Sequence, residues 1–567
     1  MYLCFMKQLI ECVPNFSEGR DLSIIKQITD QIESVEGVRL LDVDPGKATN
    51  RTVVTFVGEP AQVIEAAYLA IKKAGEIIDM RQHSGEHARM GATDVCPLIP
   101  VANISMEETV EFAKMLAKRV GAELNIPVYL YESAASKPER RNLATIRAGE
   151  YEGLAAKLQD PNWKPDFGPA AFNAQSGATV IGARDFLVAY NINLNTKSTR
   201  LANAIAFDVR EAGRIKREGH PVLGEVVNDE NGEPVRIPGT LKSVKAVGWY
   251  IEEYGFAQIS MNLTNINVTS VHKAFDEVVR AAQERGVRVT GSELVGLIPL
   301  RCMLEAGRHY LAKMGRSEGV SEEELIETAI RSMGLNELGP FDPKKKIIEY
   351  LIAPAGHDRL TSMNLRAFAN ETASESPAPG GGSIAAYAGA LGVSLAAMVA
   401  NLSAAKRGWE EQTGYFSDMA SKAQALKEAL LYKVDEDTRA FDAIMNAFAL
   451  PKNSDLEKKA RTLAIQEATK IAIEVPLQTM RLANEAFEII QAMAEKGNPN
   501  SITDAAVGAL CARAAVYGGW LNVKVNLVGF KDQAFADATL EEAAAILAEA
   551  QAQEAAILEL VAKRLGV

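Results

Sequence analysis

Asp79–Pro100 reads DMRQHSGEHARMGATDVCPLIP, and the path of its backbone decides between two architectures. Its centre, His83-Ser84-Gly85-Glu86-His87, matches the H-x-x-E-H pattern of one class of zinc peptidases. That chemistry needs a helix, because two histidines four apart share a zinc-gripping face only there. Gly85 inside the run and Gly91 just after it weaken any helix. Thr93–Pro100 then reads as a short strand punctuated by prolines. The expected path is turn followed by strand, which disfavours the zinc reading. What remains is a pair of histidines, of six in the whole chain, set among Arg81, Glu86, Arg89 and Asp94. A neutral imidazole beside carboxylates and guanidiniums is how proton-transfer sites are built. Two surface or turn histidines would give the same string.

Outward from this stretch, residues up to about 350 alternate strand-like and helix-like segments. Val38–Val43, Thr52–Val57, Val128–Tyr131, Phe186–Leu194, Val244–Ile251, Gln258–Leu263 and Val287–Val289 are β-rich. Ala61–Ile78 and Ser270–Arg285 have helical periodicity. This is α/β or α+β layering, in two similar-sized blocks broken near Arg184. Glu211–Thr240 reads as a long charged loop around the turn signal Asp229-Glu230-Asn231-Gly232. After Pro340 the character changes. Lys344-Lys345-Lys346 leads into one last strand-like segment, and Ala353–Ser362 reads as a linker. Ala-rich helices then run to the end, with capping boxes expected at Ser454/Glu457 and Thr539/Glu542 and a helix stop at Gly497-Asn498-Pro499.

Ile384–Leu402 carries no charge and is about membrane length. Its alanines and glycines read as a close-packed buried helix rather than a membrane span. Such a helix predicts an extensive helical interface, so a dimer at least. A chain of 567 residues is too long for one domain. A net charge of −12 argues against nucleic acid as the main partner and obliges any polyanionic ligand to find a local basic pocket. The five cysteines are scattered without a C-x-x-C pair, which suits a reducing compartment. Nothing at the start reads as a signal peptide, so a cytoplasmic location is expected.

Three long, irregular motifs carry a resemblance. Leu9–Gly19 reads LIECVPNFSEG, Leu40–Val57 reads LLDVDPGKATNRTVVTFV, and His83–Pro97 takes the form H-x-G-E-H-x-R-M-G-A-x-D-V-C-P. Together they resemble the bifunctional glutamate formiminotransferase–formiminotetrahydrofolate cyclodeaminase family, over almost the full length. The resemblance begins at Met6, which makes Met6 an alternative start to Met1. It implies an α+β transferase half made of two similar-sized α/β subdomains, residues 1–185 and 186–340. A linker (341–362) and an all-α multihelical cyclodeaminase domain (363–567) follow. It implies a formimino group moved from N-formimino-L-glutamate to tetrahydrofolate, then cyclodeamination to 5,10-methenyltetrahydrofolate and ammonia, as in histidine degradation. Tetrahydrofolate, in polyglutamylated form, would be the cosubstrate. No metal, nucleic acid or membrane is called for, and the family suggests a ring-like octamer. The alternatives are a single retained activity, a cyclohydrolase-like helical half, or a non-catalytic folate-binding scaffold.

The resemblance makes His87 the catalytic histidine and His83 its neighbour. It also makes Gly168-Pro169-Ala170-Ala171-Phe172-Asn173-Ala174-Gln175-Ser176-Gly177 the folate-binding segment. Glycines there allow close backbone approach, and Phe172 suits a flat pterin. The family carries an aromatic where this chain has Ser176. Asn15, Asp44, Asn50 and Arg51 sit in turn-rich stretches, as substrate contacts or as plain turn residues. Arg89 is either a bidentate clamp on a substrate carboxylate or the ion partner of Asp94. In the helical half, Gly380-Gly381-Gly382-Ser383 feeds a helix N-terminus, where free N–H groups suit an anion; the resemblance adds that it lines the folate site. A helix over Ser421–Leu450 puts Asp437 on the face of Leu426, Leu430, Val434, Phe441, Ile444 and Phe448, with Asp435 and Glu436 pointing elsewhere. An aspartate in apolar surroundings stays protonated and can serve as a general acid, and the resemblance places the cyclodeaminase carboxylate at Asp437. Otherwise Asp437 is a buried partner of Lys406 or Arg407. Asn498, Asp504, Asn522, Lys524 and Asn526 are ligand contacts or helix-interface polars.

Overall fold

A computed structural model describes residues 8–47, 49–85, 87–219, 224–352 and 360–566. Chain contacts divide it into two compact units, Met1–Met303 with Ile330–Ile352 and Leu304–Ala329 with Ala353–Val567.

The first unit opens with short strands β1 (Leu9–Cys12) and β2 (Asn15–Phe16). Helix α1 (Leu22–Glu33) begins where the Asp21 carboxylate accepts from the Ser23 N–H. Strands β3 (Arg39–Gly46) and β4 (Arg51–Gly58) follow, then α2 (Pro60–Ile77), which starts on a proline whose missing N–H costs nothing there. Strand β5 (Thr93–Ala102) is buried on both faces from Thr93 to Ile99, and α3 (Met106–Glu123) starts with a Ser105/Glu108 capping box. Strand β6 (Val128–Glu132), helices α4 (Leu143–Arg147) and α5 (Glu150–Lys157), and strand β7 (Thr179–Ala183) complete the layer. The sheet runs β1-β4-β2-β5-β7-β6, with β3 also on β4. Strands β5, β7 and β6 are parallel to one another, and the other pairings are antiparallel. Side chains alternate between faces. Cys96, Leu98, Val128, Leu130 and Ile181 join the core under α1, α2 and α3. Val95, Tyr129, Tyr131 and Val180 meet Ile146 of α4 and Leu154 of α5. Expected strand and path agree here: the described residues of 79–91 contain no helix, and β5 begins at Thr93. Among the described residues, the helix that an H-x-x-E-H grip needs is absent.

The second half of this unit holds β8 (Val188–Leu194) and α6 (Thr199–Val209). The stretch expected as a loop instead carries two small ladders. Strands β9 (Arg214–Ile215) and β12 (Arg236–Ile237) pair, as do β10 (Arg217–Glu218) and β11 (Glu225–Val226). His220–Leu223 lie outside the described residues. Strands β13 (Val244–Ile251) and β14 (Phe256–Leu263), helix α7 (Val271–Gln283) and strand β15 (Val289–Val295) close an antiparallel sheet of order β13-β14-β8-β15. Gly248 is there because a Cβ would lie 2.3 Å from Asn203 N on α6. Helix α8 (Leu300–Lys313) leaves this unit after Met303 and α9 (Glu322–Met333) returns to it at Ile330, the stretch between belonging to the second unit; α10 (Pro343–Lys346) and α11 (Ile348–Ile352) follow. The last strand expected after Lys346 reduces to one bridge, Ile298 to Ile347. The chain coils at once into α11, which lets the Glu349 carboxylate accept from the Leu300 N–H at 2.7 Å.

The second unit is helical. Besides the Leu304–Ala329 parts of α8 and α9, it holds α12 (Leu365–Thr372), α13 (Gly381–Ala404), α14 (Thr413–Ala449), α15 (Asp455–Lys496), α16 (Ile502–Asn526) and α17 (Gln533–Leu565). The uncharged run is α13, long and apolar enough to cross a membrane, but packed against α14, α15 and α16. Its glycines set that closeness: a Cβ on Gly392 would meet Gly508 O at 2.7 Å and Ala512 N at 3.0 Å. The Ser454/Glu457 box caps α15 as expected. The box at Thr539/Glu542 does not form. Asp532 caps α17 earlier, Thr539 is buried inside the helix, and Glu542 pairs with Arg481. Helix α14 starts eight residues before the expected Ser421 and buries Leu430 and Val434, while Phe441 and Phe448 stay 38% and 49% exposed. Of the expected linker, residues 353–359 lie outside the described residues.

Candidate active sites

In the first unit the turn between β3 and β4 is the scaffold. Asn50 adopts a left-handed φ of 47°. Its Oδ1 accepts from Gly19 N at 3.0 Å, and its Nδ2 donates to Ser84 O at 3.0 Å. Gly85 lies on this turn so closely that a Cβ would sit 2.2 Å from Thr49 O. The glycines that argued against a helix are thus sites of backbone contact. Gly91 is a second, its absent Cβ 2.4 Å from both Ser176 O and Ala178 O. Glu86 lies outside the described residues.

His83 has both ring nitrogens engaged. Nε2 donates to Asn50 O at 2.8 Å, and Nδ1 accepts from Arg89 Nε at 3.3 Å. His87 differs: Nδ1 meets Ala88 O at 2.7 Å, and a carbonyl only accepts, so the proton is on Nδ1. Nε2 then carries the lone pair. Burial, the Arg51 charge and, more weakly, Arg147 push the His87 pKa down to about 4, against the Ala88 bond and Asp94. The imidazole is neutral at physiological pH and ready to take a proton.

Behind it lies a buried ion cluster. Asp94 is fully buried, and its Oδ2 accepts from Arg51 Nη1 at 2.5 Å and from Arg147 Nη2. Oδ1 accepts from Met90 N at 2.9 Å. Burial pushes the Asp94 carboxyl up, but the two guanidiniums outweigh it and hold it below the ordinary range. Arg51 Nε also donates to Asn15 Oδ1 at 3.0 Å. Asn15 and Arg51 are therefore brought together with Asp94. Arg89 does not pair with Asp94, the ion partner expected for it. It forks onto Glu150 and Glu152 of α5, at 3.0 and 2.6 Å, because α5 brings two carboxylates to its side chain. No spacing near Arg89 signalled these partners, and Arg147 was missed for the same reason.

The segment from Gly168 to Gly177 is laced to both ends of the His87 stretch. Met80 N donates to Gln175 O, Ala92 N to Ser176 O and Ala178 N to Met90 O, at 2.9, 2.9 and 3.1 Å. Gly168 and Gly177 have φ of 80° and 67°, and a Cβ on Gly177 would lie 2.1 Å from Met90 O. Tyr151 OH donates to Ala174 O at 2.5 Å, and its ring meets Phe172 at 5.5 Å between centroids. Phe172 stays 40% exposed, an aromatic face open beyond its contact with Tyr151. Ser176 is buried, its Oγ without a hydrogen-bond partner among the described residues, and its Cβ lies 3.6 Å from the place of a Cβ on Gly75.

Asp44 is pushed up by burial, with Lys346 opposing and Glu293 assisting. Glu293 belongs to a polar sheet face that sequence reading passed over. Its Oε2 accepts from Asn191 Nδ2 and Gln258 Nε2 at 3.0 and 3.2 Å, and its Oε1 from Tyr254 OH at 3.0 Å. The alternation of Asn191 and Asn193 with apolar residues in β8 was the available signal.

In the second unit Asp437 meets the first turn of α13. Ser383 Oγ donates to Asp437 Oδ2 at 3.0 Å. Asp437 pairs with this hydroxyl, not with Lys406, which lies over the Trp409 ring at 3.9 Å. Burial pushes the carboxyl up, against the Ser383 bonds. Asn522 is beside it, its amide 3.5 Å from the place of a Gly381 Cβ. Gly380 serves as N-cap. Asn526 is an interface polar, donating to Ala472 O of α15 at 2.7 Å. Asp435 corrects the expected helical wheel: it is buried too, accepting from Leu360 N and from Thr361 N and Oγ1.

Three family models match in succession: the formiminotransferase domain, N-terminal subdomain, over residues 9–184; the formiminotransferase domain over 189–353; and formiminotransferase-cyclodeaminase over 364–545. The formimidoyltransferase-cyclodeaminase of Rattus norvegicus is 43% identical across 98% of this chain and 98% of its own. The chain belongs to the formimidoyltransferase-cyclodeaminase family. Two shorter relatives divide along the same line. The glutamate formimidoyltransferase of Thermoplasma acidophilum is 42% identical and covers 57% of this chain and 98% of its own. The methenyltetrahydrofolate cyclohydrolase of Methylorubrum extorquens is 41% identical over 36% of this chain and 97% of its own. The fold agrees with this family: mixed strands and helices in the first half, helices alone after residue 364.

Proposed function

We propose that the chain carries both activities of its family: formimino transfer from N-formimino-L-glutamate to tetrahydrofolate, then cyclodeamination of 5-formiminotetrahydrofolate to 5,10-methenyltetrahydrofolate and ammonia. Full-length kinship to a bifunctional relative supports this, and so does a proton-handling group in each half. The organisation we adopt is two transferase subdomains (1–185 and 186–340), a linker (341–362) and a cyclodeaminase domain (363–567). The setting is cytoplasmic histidine degradation, with polyglutamylated folate as cosubstrate and a homo-oligomer, dimer or octamer, as the working form.

The observation that carries the transferase assignment is the Nε2 lone pair of a neutral His87, whose Nδ1 proton is held by Ala88 O. The folate nitrogen attacks the amidine carbon and sheds a proton, and His87 takes it. The imidazolium so formed is a strong acid beside the Arg51 charge, so it returns the proton to the departing glutamate nitrogen. Phe172 and the Gly168–Gly177 backbone offer the pterin a face. In the helical half, protonated Asp437 gives its proton to the departing amine. The carboxylate left behind takes the proton shed by the attacking folate nitrogen and is an acid again.

The test is purified protein given formiminoglutamate and tetrahydrofolate, with methenyltetrahydrofolate followed by absorbance and ammonia measured in parallel. Wild type makes both products, His87→Ala blocks the first step, and Asp437→Ala accumulates the formimino-folate. The cyclohydrolase relative favours one second reading, hydrolysis of the methenyl bridge by the helical half. Ammonia release tied one-to-one to methenyl formation excludes it; methenyl-folate consumption without ammonia supports it.

A further inference from the structure

We propose that Ser383 is a positioning residue for cyclodeamination, holding the Asp437 carboxyl against the first turn of α13 in both of its protonation states. This rests on the reading of Asp437 as the proton donor. Three observations converge on it. Ser383 is fully buried, and its hydroxyl points at Oδ2 across 3.0 Å. The residue before it leaves room: a Cβ on Gly382 would lie 2.1 Å from Oδ1 and 2.6 Å from Cγ of Asp437. The carboxyl thus occupies the volume a side chain at 382 would need. It also lies at a helix start, where the first N–H groups have no intrahelical partner. The glycine run therefore seats the acid, whereas the sequence alone suggested an anion site for the substrate.

This placement suits a group that must change charge twice per turnover. The second folate nitrogen adds to the carbon of the protonated formimino group, –CH=NH2+, forming the new C–N bond as the second electron pair of the C=N bond moves onto the amine nitrogen. The Asp437 O–H bond then breaks as its proton moves to that –NH2, and ammonia departs with the electron pair of the breaking C–N bond. The attacking folate nitrogen then gives its proton to the carboxylate, and the lone pair left behind completes the methenyl bridge. Protons balance and no co-reactant is needed. A hydroxyl is the side-chain group that serves both states, donating to the carboxylate and accepting from the acid. Backbone N–H groups at the helix start favour only the anion.

The experiment compares full-length wild type, Ser383→Ala, Ser383→Thr and Asp437→Ala for cyclodeamination of 5-formiminotetrahydrofolate across pH. Far-UV circular dichroism and a melting curve on each sample report folding. The alanine variant loses about tenfold or more in kcat, the scale of a hydrogen bond to a charged group. Its alkaline limb moves to higher pH, because the carboxylate has lost a donor. Threonine, which keeps the hydroxyl, restores most of the rate and the limb. If alanine does not fold, Ser383→Cys, of similar volume and a weak donor, is read in its place. A serine replacement with wild-type kcat and wild-type limb overturns the proposal. So does a rate loss with no movement of the limb that threonine does not rescue, because packing alone produces that. If Asp437→Ala itself still cyclodeaminates, the assignment of the acid has failed; if that variant is dead and Ser383→Ala is indifferent, only the role of Ser383 has.

Discussion

Replacing Asp94 by Asn keeps its shape and removes its charge, and the buried cluster predicts a severe result. Two guanidiniums, Arg51 and Arg147, meet this one fully buried carboxylate. Without it both cations are left in low dielectric, where breaking a buried pair from one side costs about 3–5 kcal/mol. With an m-value of about 3 kcal/mol per molar urea for a unit of this size, the unfolding midpoint falls by roughly 1–1.7 M. The sign with pH follows from the depressed Asp94 pKa. A group held below its unfolded value contributes above that value, near 3.9, and loses its contribution as pH falls through the folded one. Wild type and variant therefore differ fully at pH 7 and converge in strong acid. Hydrogen exchange of β5 and β7 amides across a urea series at both pH values reads the first unit alone. The double variant Asp94→Asn/Arg147→Met recovers part of the loss by removing one stranded cation. A single-variant midpoint within about 0.3 M of wild type at pH 7 would refute the reasoning, since that is under about 1 kcal/mol.

The transferase kcat/KM should keep its basic form down to pH about 4, because His87 becomes protonated only there; an acid limb near the ordinary histidine value would show that its environment has been misread. Ser176→Ala should raise stability by about 1 kcal/mol, since it removes a buried hydroxyl with no partner among the described residues; a melting temperature lowered by several degrees would mean that the hydroxyl is bonded. Tyr254 is pushed up to about 12 by burial and by Glu293, its hydrogen-bond acceptor. Glu293→Gln should bring one tyrosine down toward its ordinary value in an ultraviolet difference titration, and an unchanged curve would break that link.

What could be read in the sequence was whatever is encoded locally. Gly85 and Gly91 weakened any helix through the histidines, and the α13 composition announced close helix packing. Each is a statement about backbone or small side chains within a few residues. What failed depended on distant chain. Glu150 and Glu152 take Arg89 from 61 and 63 residues away, and no spacing rule links them. Thr539/Glu542 had the right letters for a cap, but Asp532 supplied the cap seven residues sooner.

The same division explains why the histidine could be named but its state could not. A string containing histidine, arginine and aspartate fits an imidazolium paired with Asp94 as well as a neutral base. The structure decides because Asp94 is already spent on Arg51 and Arg147. Two positive charges against one negative leave the cluster cationic, and its excess charge acts on His87 from behind. A carboxylate in that place would have made a protonated, sluggish histidine. Burial and Arg51 do most to keep His87 neutral, and Arg147 adds to this from α4, about 60 residues beyond the motif in a helix that carries no signature of its own.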